Sequence, residues 1–394
     1  MAEIELSEEQ GLLARSAGDF LTKHSTFDAV RRRMETDRGF DPKLWQEMAS
    51  LGWLGASLPE AHGGAGMPVG ALVSLAEPMG RHLFASPWLA TTLAGRLIDA
   101  AGGEQQKQRW LPAIAGGELI ATVALTEPGG SWELQAPGAT AARSGDGYAL
   151  RGSKSLVLDA EAAGLILCSA TLDDGSGSPA IFAVERAALP DGALRRHELI
   201  DERRRAFRLD LDGLQVPADA RLDGDDAAAA LGHVDGVGTL LLAAEMSGGT
   251  EGVMDLTLEY LRTRTQFGRP IGSYQALKHP MVEIMIQQEL ARSLLYHAAT
   301  VYEDGAELSE IAVRMAKAQA GETYTHAADR SIQFHGAIGF THECHAQLFF
   351  RHAQWAEYTF GDALHHRRRL EPLLLRQDGA WAETRRGAAD VLGR

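Results

Sequence analysis

Between Arg262 and Gln275 the chain gathers three arginines (Arg262, Arg264, Arg269) and two glutamines (Gln266, Gln275) around one phenylalanine, Phe267. Guanidinium groups offer fixed-geometry donors that suit a pyrophosphate, and an aromatic ring beside them suits a flat ring system. A solvated loop between two helices is the plain alternative, and the density of donors beside an aromatic favours binding. A second segment, Ala124-Leu125-Thr126-Glu127-Pro128-Gly129-Gly130-Ser131, leaves an apolar run, carries hydroxyl and backbone donors, and then turns. Loops of this kind bring amides close to a polar ring, though an ordinary surface loop reads the same way. A third, Gln333-Phe334-His335-Gly336-Ala337-Ile338-Gly339-Phe340-Thr341, ends a helical pattern with two glycines three apart. Such a turn exposes main-chain amides, or simply terminates a helix.

Other chemistries are poorly supported. No Gly-x-Gly-x-x-Gly follows a strand pattern, and neither a Walker A sequence nor a Gly-x-Ser-x-Gly elbow occurs. The cluster His342-Glu343-Cys344-His345 spaces its histidines three apart, not the four of a zincin, and His365-His366 reads as structural or surface histidine, so no metal is expected. Two cysteines, Cys168 and Cys344, exclude a disulfide scaffold and a tetracysteine zinc site. The net charge of −15 argues against nucleic acid as a partner. No run of 18 apolar residues is present, so no membrane span is expected. The acidic start, MAEIELSEEQ, has no basic n-region, which points to the cytoplasm.

The elements that must position these segments fall into three zones. Residues 1–120 read as an N-terminal helical domain. Ser7-Glu8-Glu9-Gln10 fits a capping box, and Leu12, Leu13, Ala17, Phe20 and Leu21 follow at helical spacing. Pro59–Gly66 is a loop, with helices predicted at about 67–83 and 88–102. Residues 121–230 break into short apolar runs. Ser144-Gly145-Asp146-Gly147 marks a hairpin between Ala139–Arg143 and Tyr148–Arg151, and Leu165–Ala170 and Ala180–Val184 read as further strands. This pattern predicts an antiparallel β-domain. Residues 231–394 return to long helices at Leu240–Tyr260, Gln275–Tyr302 and Ile311–Gln333, which predict an antiparallel four-helix bundle followed by a polar tail from about 373. The fold class is α+β.

In this order, the segments resemble the acyl-CoA dehydrogenase family of flavoproteins over nearly the whole chain. The residues that carry the resemblance are Leu125-Thr126-Glu127-Pro128, Gly145-Asp146-Gly147-Tyr148-x-Leu150-x-Gly152-x-Lys154, Arg264-x-Gln266-Phe267-Gly268 and Gln333-x-His335-Gly336-x-x-Gly339-Phe340. The resemblance implies FAD as cofactor, an acyl-CoA substrate in which a trans-2,3 double bond is made, and a homotetramer or a heterotetramer with a related subunit. It also implies electron-transfer flavoprotein or a similar acceptor. It assigns Arg264, Gln266, Phe267, Gln275, Gln333, Gly336 and Ala337 to the FAD of a neighbouring subunit. Leu125, Thr126 and Ser131 would face the chain's own flavin and thioester.

The chain departs from this pattern where chemistry is expected. The family removes the substrate's α-proton with a glutamate while the flavin takes a β-hydride. Phe360, in Tyr358-Thr359-Phe360-Gly361-Asp362, stands at the usual glutamate position. Gly238, in Asp235-Gly236-Val237-Gly238-Thr239, stands at the alternative one. Gly236 and Thr239 replace an Asp and an Arg that grip CoA, and Leu158 replaces a hydroxyl partner of flavin N5. Residues lent to a neighbour's FAD are kept. This asymmetry resembles the non-catalytic subunits of heterotetrameric acyl-CoA dehydrogenases of bacterial steroid and dicarboxylate breakdown. Two readings follow: a subunit that completes a partner's FAD site without turnover of its own, or a flavoenzyme whose base is relocated to Asp235 or Glu245. Glu245 also suits a buried helix position paired with an arginine.

Overall fold

A computed structural model of the chain describes residues 7–224, 226–302 and 306–376. The N-terminal helix α1 (Glu8–His24) starts where the capping residues place it. Ser7 Oγ accepts from the Gln10 amide at 3.2 Å, and Gln10 Oε1 accepts from the Ser7 amide at 3.1 Å. Helices α2 (Phe27–Met34), α3 (Pro42–Ser50), α4 (Val73–Arg81), α5 (Trp88–Ala101) and α6 (Glu104–Ala115) follow. The loop around residue 60 contains a single 3₁₀ turn, Glu60–His62.

The middle segment carries β1 (Ala121–Ala124), β2 (Thr140–Ser144), β3 (Gly147–Arg151), β4 (Ser153–Leu158), β5 (Leu165–Leu172), β6 (Pro179–Glu185), β7 (Leu194–Arg196), β8 (Ala206–Asp210) and β9 (Leu214–Pro217). The hairpin β2–β3 turns at Gly145-Asp146 as expected. The domain is not antiparallel throughout. β1 and β2 both pair with β5 in parallel, while β2–β3, β3–β9 and β5–β6 are antiparallel. Parallel neighbours need a long crossover, and the 40 residues between Ala124 and Leu165 provide one. A separate sheet holds β4, β8 and β7, with a bulge in β4 between Lys154 and Val157. The core of the β-domain gathers Leu150, Val157, Ile166, Phe182, Leu209 and Leu211.

The C-terminal segment begins earlier than its apolar run suggests. α7 covers Ala227–Thr263, so the glycine-rich stretch 232–238 is helical. Val234 and Val237 are fully buried there, and burial outweighs the glycines' poor propensity. A Cβ at Gly232 would lie 2.6 Å from the Gln135 amide nitrogen, so the close approach of that side chain suits glycine. By length and composition α7 could cross a membrane, yet most of its apolar window is buried within the protein, as in a core helix. A short ribbon of β10 (Thr265–Gln266) and β11 (Arg269–Pro270) leads to α8 (Gln275–Val301), α9 (Glu307–His335), α10 (Ala346–Tyr358) and α11 (Ala363–Leu375). α8, α10 and α11 all pack on α9. The polar tail from about 373 contributes its first residues to α11, and beyond 376 it lies outside the described residues.

The chain forms two compact units that do not follow chain order. Among the described residues, one comprises those up to Ala29, Val69–Phe84 and those from Thr239 onward; the other comprises Val30–Pro68 and Ala85–Gly238. In the first, α4 lies directly on α7. Cβ atoms at Gly80, Gly248 and Gly252 would collide with the carbonyl oxygens of Glu245, Glu77 and Arg81, so the two backbones touch.

Candidate functional site

In the first unit, Arg264 to Gln275 is an ordered arm at the end of α7. Phe267 and Gly268 turn the ribbon with φ of 52° and 80°, the sign that a two-residue hairpin turn needs at both positions. The Ile271 amide donates to the Arg264 carbonyl at 2.8 Å. The Arg269 guanidinium covers the Tyr274 ring at 4.1 Å, and the Tyr274 hydroxyl donates to the Gln266 carbonyl at 3.3 Å. Arg264, Gln266 and Gln275 are exposed, and Phe267 is 91% exposed.

The second candidate segment, Gln333 to Phe340, sits at the same end of the helical bundle. Tyr260 of α7 stacks on His335 of α9 with ring centroids 4.4 Å apart, and the Tyr260 hydroxyl donates to the His335 carbonyl. α9 ends at Gly336, whose φ of 65° few side chains tolerate. Gln333, Gly336 and Ala337 are exposed, and Phe340 is 83% exposed. The two segments thus present a guanidinium, several amides and two bare aromatic rings. This donor set fits a diphosphate carrying flat rings, which is the chemistry of FAD.

In the second unit, Leu125 and Thr126 are buried at the end of β1 and Ser131 is exposed beyond them. Thr126 joins β4: its hydroxyl donates to the Ser155 carbonyl at 2.6 Å, and its carbonyl accepts from the Ser155 amide at 2.9 Å. Ser131 Oγ accepts from the Glu133 amide at 3.1 Å. Leu158 ends β4 half-buried, its carbonyl accepting from the Thr122 hydroxyl at 2.6 Å. Its side chain has no donor or acceptor to offer. Asp235 is 7% exposed within α7, in the same unit. Gly238, one turn on, is buried and helical.

Phe360 belongs to the first unit and is 4% exposed, with φ at 58°. A bulky residue in the left-handed region is unusual, so the surrounding structure must impose it. Gly361 follows at φ 94°, where a Cβ would collide with the His365 ring. Asp362 then caps α11, its Oδ1 accepting from the His365 amide at 2.7 Å. Beneath the turn lies a buried polar cluster in which His366 takes a structural place and Lys317 is the residue that the sequence analysis does not single out. Lys317 Nζ donates to the carbonyls of Ala356, Glu357 and Gly361. Burial pulls the Lys317 pKa down to about 8, against the pull of Glu357 and Asp362. Burial, then the charges of Lys317 and Arg314, hold His366 down to about 2, so it stays neutral. A lysine inside the apolar stretch Ile311–Ala320 was the available signal for this cluster.

Glu245, on α7 in the same unit, is 6% exposed and lies 3.8 Å from His352 Nε2. His352 is fully buried, and its Nδ1 is 3.0 Å from the Tyr324 hydroxyl. Glu245 is thus a buried carboxylate with a histidine ring at ion-pair distance. Thr239 is 1% exposed, and its hydroxyl has no hydrogen-bond partner among the described residues. No three His, Cys, Asp or Glu side chains converge on a metal position among the described residues; His345 instead stacks on Phe27 at 4.0 Å.

With this geometry in view, residues 7–118 match the family described as acyl-CoA dehydrogenase, N-terminal domain, and residues 236–371 match acyl-CoA dehydrogenase, C-terminal domain. Acyl-CoA dehydrogenase FadE12 of Mycobacterium bovis is 31% identical over 350 residues, covering 86% of this chain and 88% of the relative. A variant of the Tcur3481–Tcur3483 steroid ACAD is 35% identical with a TM-score of 0.83, covering 93% of this chain and 98% of that one. The ChsE4–ChsE5 complex of Mycobacterium tuberculosis is 28% identical with a TM-score of 0.85, covering 94% and 98%.

Proposed function

Because this chain belongs to the acyl-CoA dehydrogenase family, whose members are FAD-binding flavoproteins, we propose that it works with a related subunit in dehydrogenating an acyl-CoA thioester. In this reading it completes the partner's FAD site and performs little turnover at its own. Residues 1–120, 121–230 and 231–394 serve as the N-terminal, middle and C-terminal domains. FAD, when bound, supplies the two-electron acceptor for the substrate's β-hydride.

The chain's own residues divide by task. Arg264, Gln266, Phe267, Gln275, Gln333, Gly336 and Ala337 hold the diphosphate and adenosine side of the cofactor. Leu125, Thr126 and Ser131 line the chain's own flavin position. A phenylalanine at 360 cannot accept a proton, and neither can Gly238. Gly236 and Thr239 give no charge to grip CoA, and Leu158 gives no hydrogen bond. The observation that carries this reading is the buried Phe360, in a turn held by the Lys317 bond to the Gly361 carbonyl and by the Asp362 cap. Likeness to the steroid ACAD favours a bulky, steroid-type acyl group, and the family resemblance favours electron-transfer flavoprotein or a similar protein as acceptor.

A second reading keeps catalysis within the chain through a relocated base. Glu245 facing His352 is the observation in its favour. Flavin stoichiometry and acyl-CoA-dependent dye reduction separate the two, measured on the chain alone and with a co-expressed relative that retains the glutamate. Turnover by the chain alone at the rate of the pair refutes the subunit reading.

A further inference from the structure

The excursion between Glu127 and Ala139 begins at the segment read as facing the flavin, and one carboxylate ties its two ends together. Glu127 Oε2 accepts from the Gly138 amide and Oε1 from the Ala139 amide, both at 2.8 Å. A Cβ at Gly138 would stand 2.7 Å from Oε2, so the approach is tight enough to favour glycine. Lys154, on β4, reaches the same carboxylate. Its side chain is completely buried, and Nζ donates to Glu127 Oε1 at 2.7 Å and to Ser169 Oγ on β5 at 3.0 Å, with the Leu125 carbonyl at 3.5 Å. An ammonium has three donors, and all three point at acceptors here. One buried side chain therefore meets the end of β1, the neck of the excursion and β5.

The charges are consistent with a retained ion pair. Burial raises the Glu127 pKa, but the bonds from Lys154 and from the Ala139 and Gly138 amides outweigh it and leave the carboxyl below its ordinary value. Burial lowers Lys154, and Glu127 pulls it back. The partly exposed Glu127 keeps one side in water, so the pair escapes much of the desolvation cost of a fully buried one.

We propose that Glu127 and Lys154 are a positioning pair that closes the 127–139 excursion at its neck and thereby fixes Leu125, Thr126 and Ser131 for the flavin. The proposal rests on the reading of those three residues given above. It assigns the pair no contact with substrate or cofactor. It makes the ion pair, rather than the glycines and serine of the loop, the device that sets the loop's placement.

The test uses the full chain in whatever assembly it purifies in. Lys154→Met keeps an apolar stem of similar length, and Glu127→Gln keeps shape while losing charge at a partly exposed position. If the lysine variant does not fold by circular dichroism, the glutamine variant carries the test. Amide exchange at Gly138 and Ala139 should rise about tenfold, the factor corresponding to loss of one charge-assisted hydrogen bond. Bound FAD should fall with it, and the visible circular dichroism of the remaining flavin should change. Folded variants with wild-type exchange at both amides overturn the clasp. Faster exchange with unchanged FAD content and spectrum overturns its positioning role. A wild-type assembly that neither carries nor takes up FAD overturns the underlying reading instead, and the exchange measurement then decides the clasp by itself.

Discussion

Lys317 Nζ lies 2.9 Å from the carbonyl oxygen of Gly361 and donates as well to the Ala356 and Glu357 carbonyls at 3.1 Å. The last two belong to the final turn of α10, whose carbonyls have no partner within the helix. A buried ammonium therefore finishes one helix and anchors the turn carrying Phe360. Because burial holds Lys317 near 8 against 10.5 in the unfolded chain, the folded state binds fewer protons between those values. Stability from this group is complete above 10.5 and is lost as pH falls through 8. Relative to Lys317→Met, the wild type should gain at most about 1.4 kcal/mol for each pH unit crossed in that window. Urea titrations of both proteins from pH 7.5 to 10.5 check this, and a constant difference refutes it.

His366 gives the matching acid-side prediction. Its pKa is held down to about 2 against 6.5 in the unfolded chain, so unfolding takes up a proton between those values. Its contribution is complete above 6.5 and fades as pH falls toward 2. His366→Phe should flatten the acid limb of the stability profile between pH 6 and 4. An unchanged limb would show that carboxylates alone set acid lability.

Arg264→Ala should weaken flavin retention strongly. The loss should match one or two charge-assisted hydrogen bonds, about 1.5–3 kcal/mol each. Equilibrium dialysis of FAD against both proteins measures it, and equal affinities would remove Arg264 from the cofactor site.

Phe360→Glu would place an acid at the family's usual position, and we expect little gain in acyl-CoA-dependent dye reduction. Leu158 still offers the flavin no hydrogen bond, and Gly236 and Thr239 still leave CoA without a charged grip. The position is 4% exposed, so a carboxyl there would be desolvated and held largely protonated. A large rise in rate would show that only the base was missing.

Much of this was legible in the chain itself, because local signals and fold agree there. Ser7 and Gln10 form the capping box that their spacing implies, and the Gly145-Asp146 turn joins the strands expected to flank it. The arginine-rich arm and the Gln333 turn come to one end of the bundle. What escaped was set by tertiary contact. Parallel pairing of β1 with β5 leaves no mark in either strand's composition. Gly236 and Gly238 argue locally against a helix that burial of Val234 and Val237 nevertheless completes. Lys154 and Glu127 lie 27 residues apart, so no sequence window contains their ion pair.

The contact of α4 with α7 bears on where this chain can be cut. Residues 69–84 lie early in the sequence, yet their glycine-lined face packs in the same compact unit as the long C-terminal helices. A fragment beginning at residue 231 would leave the Gly248 and Gly252 face of α7 bare, and one ending near 120 would strand α4 without the helix it packs on. Dissection at the apparent domain borders therefore severs a folding unit twice.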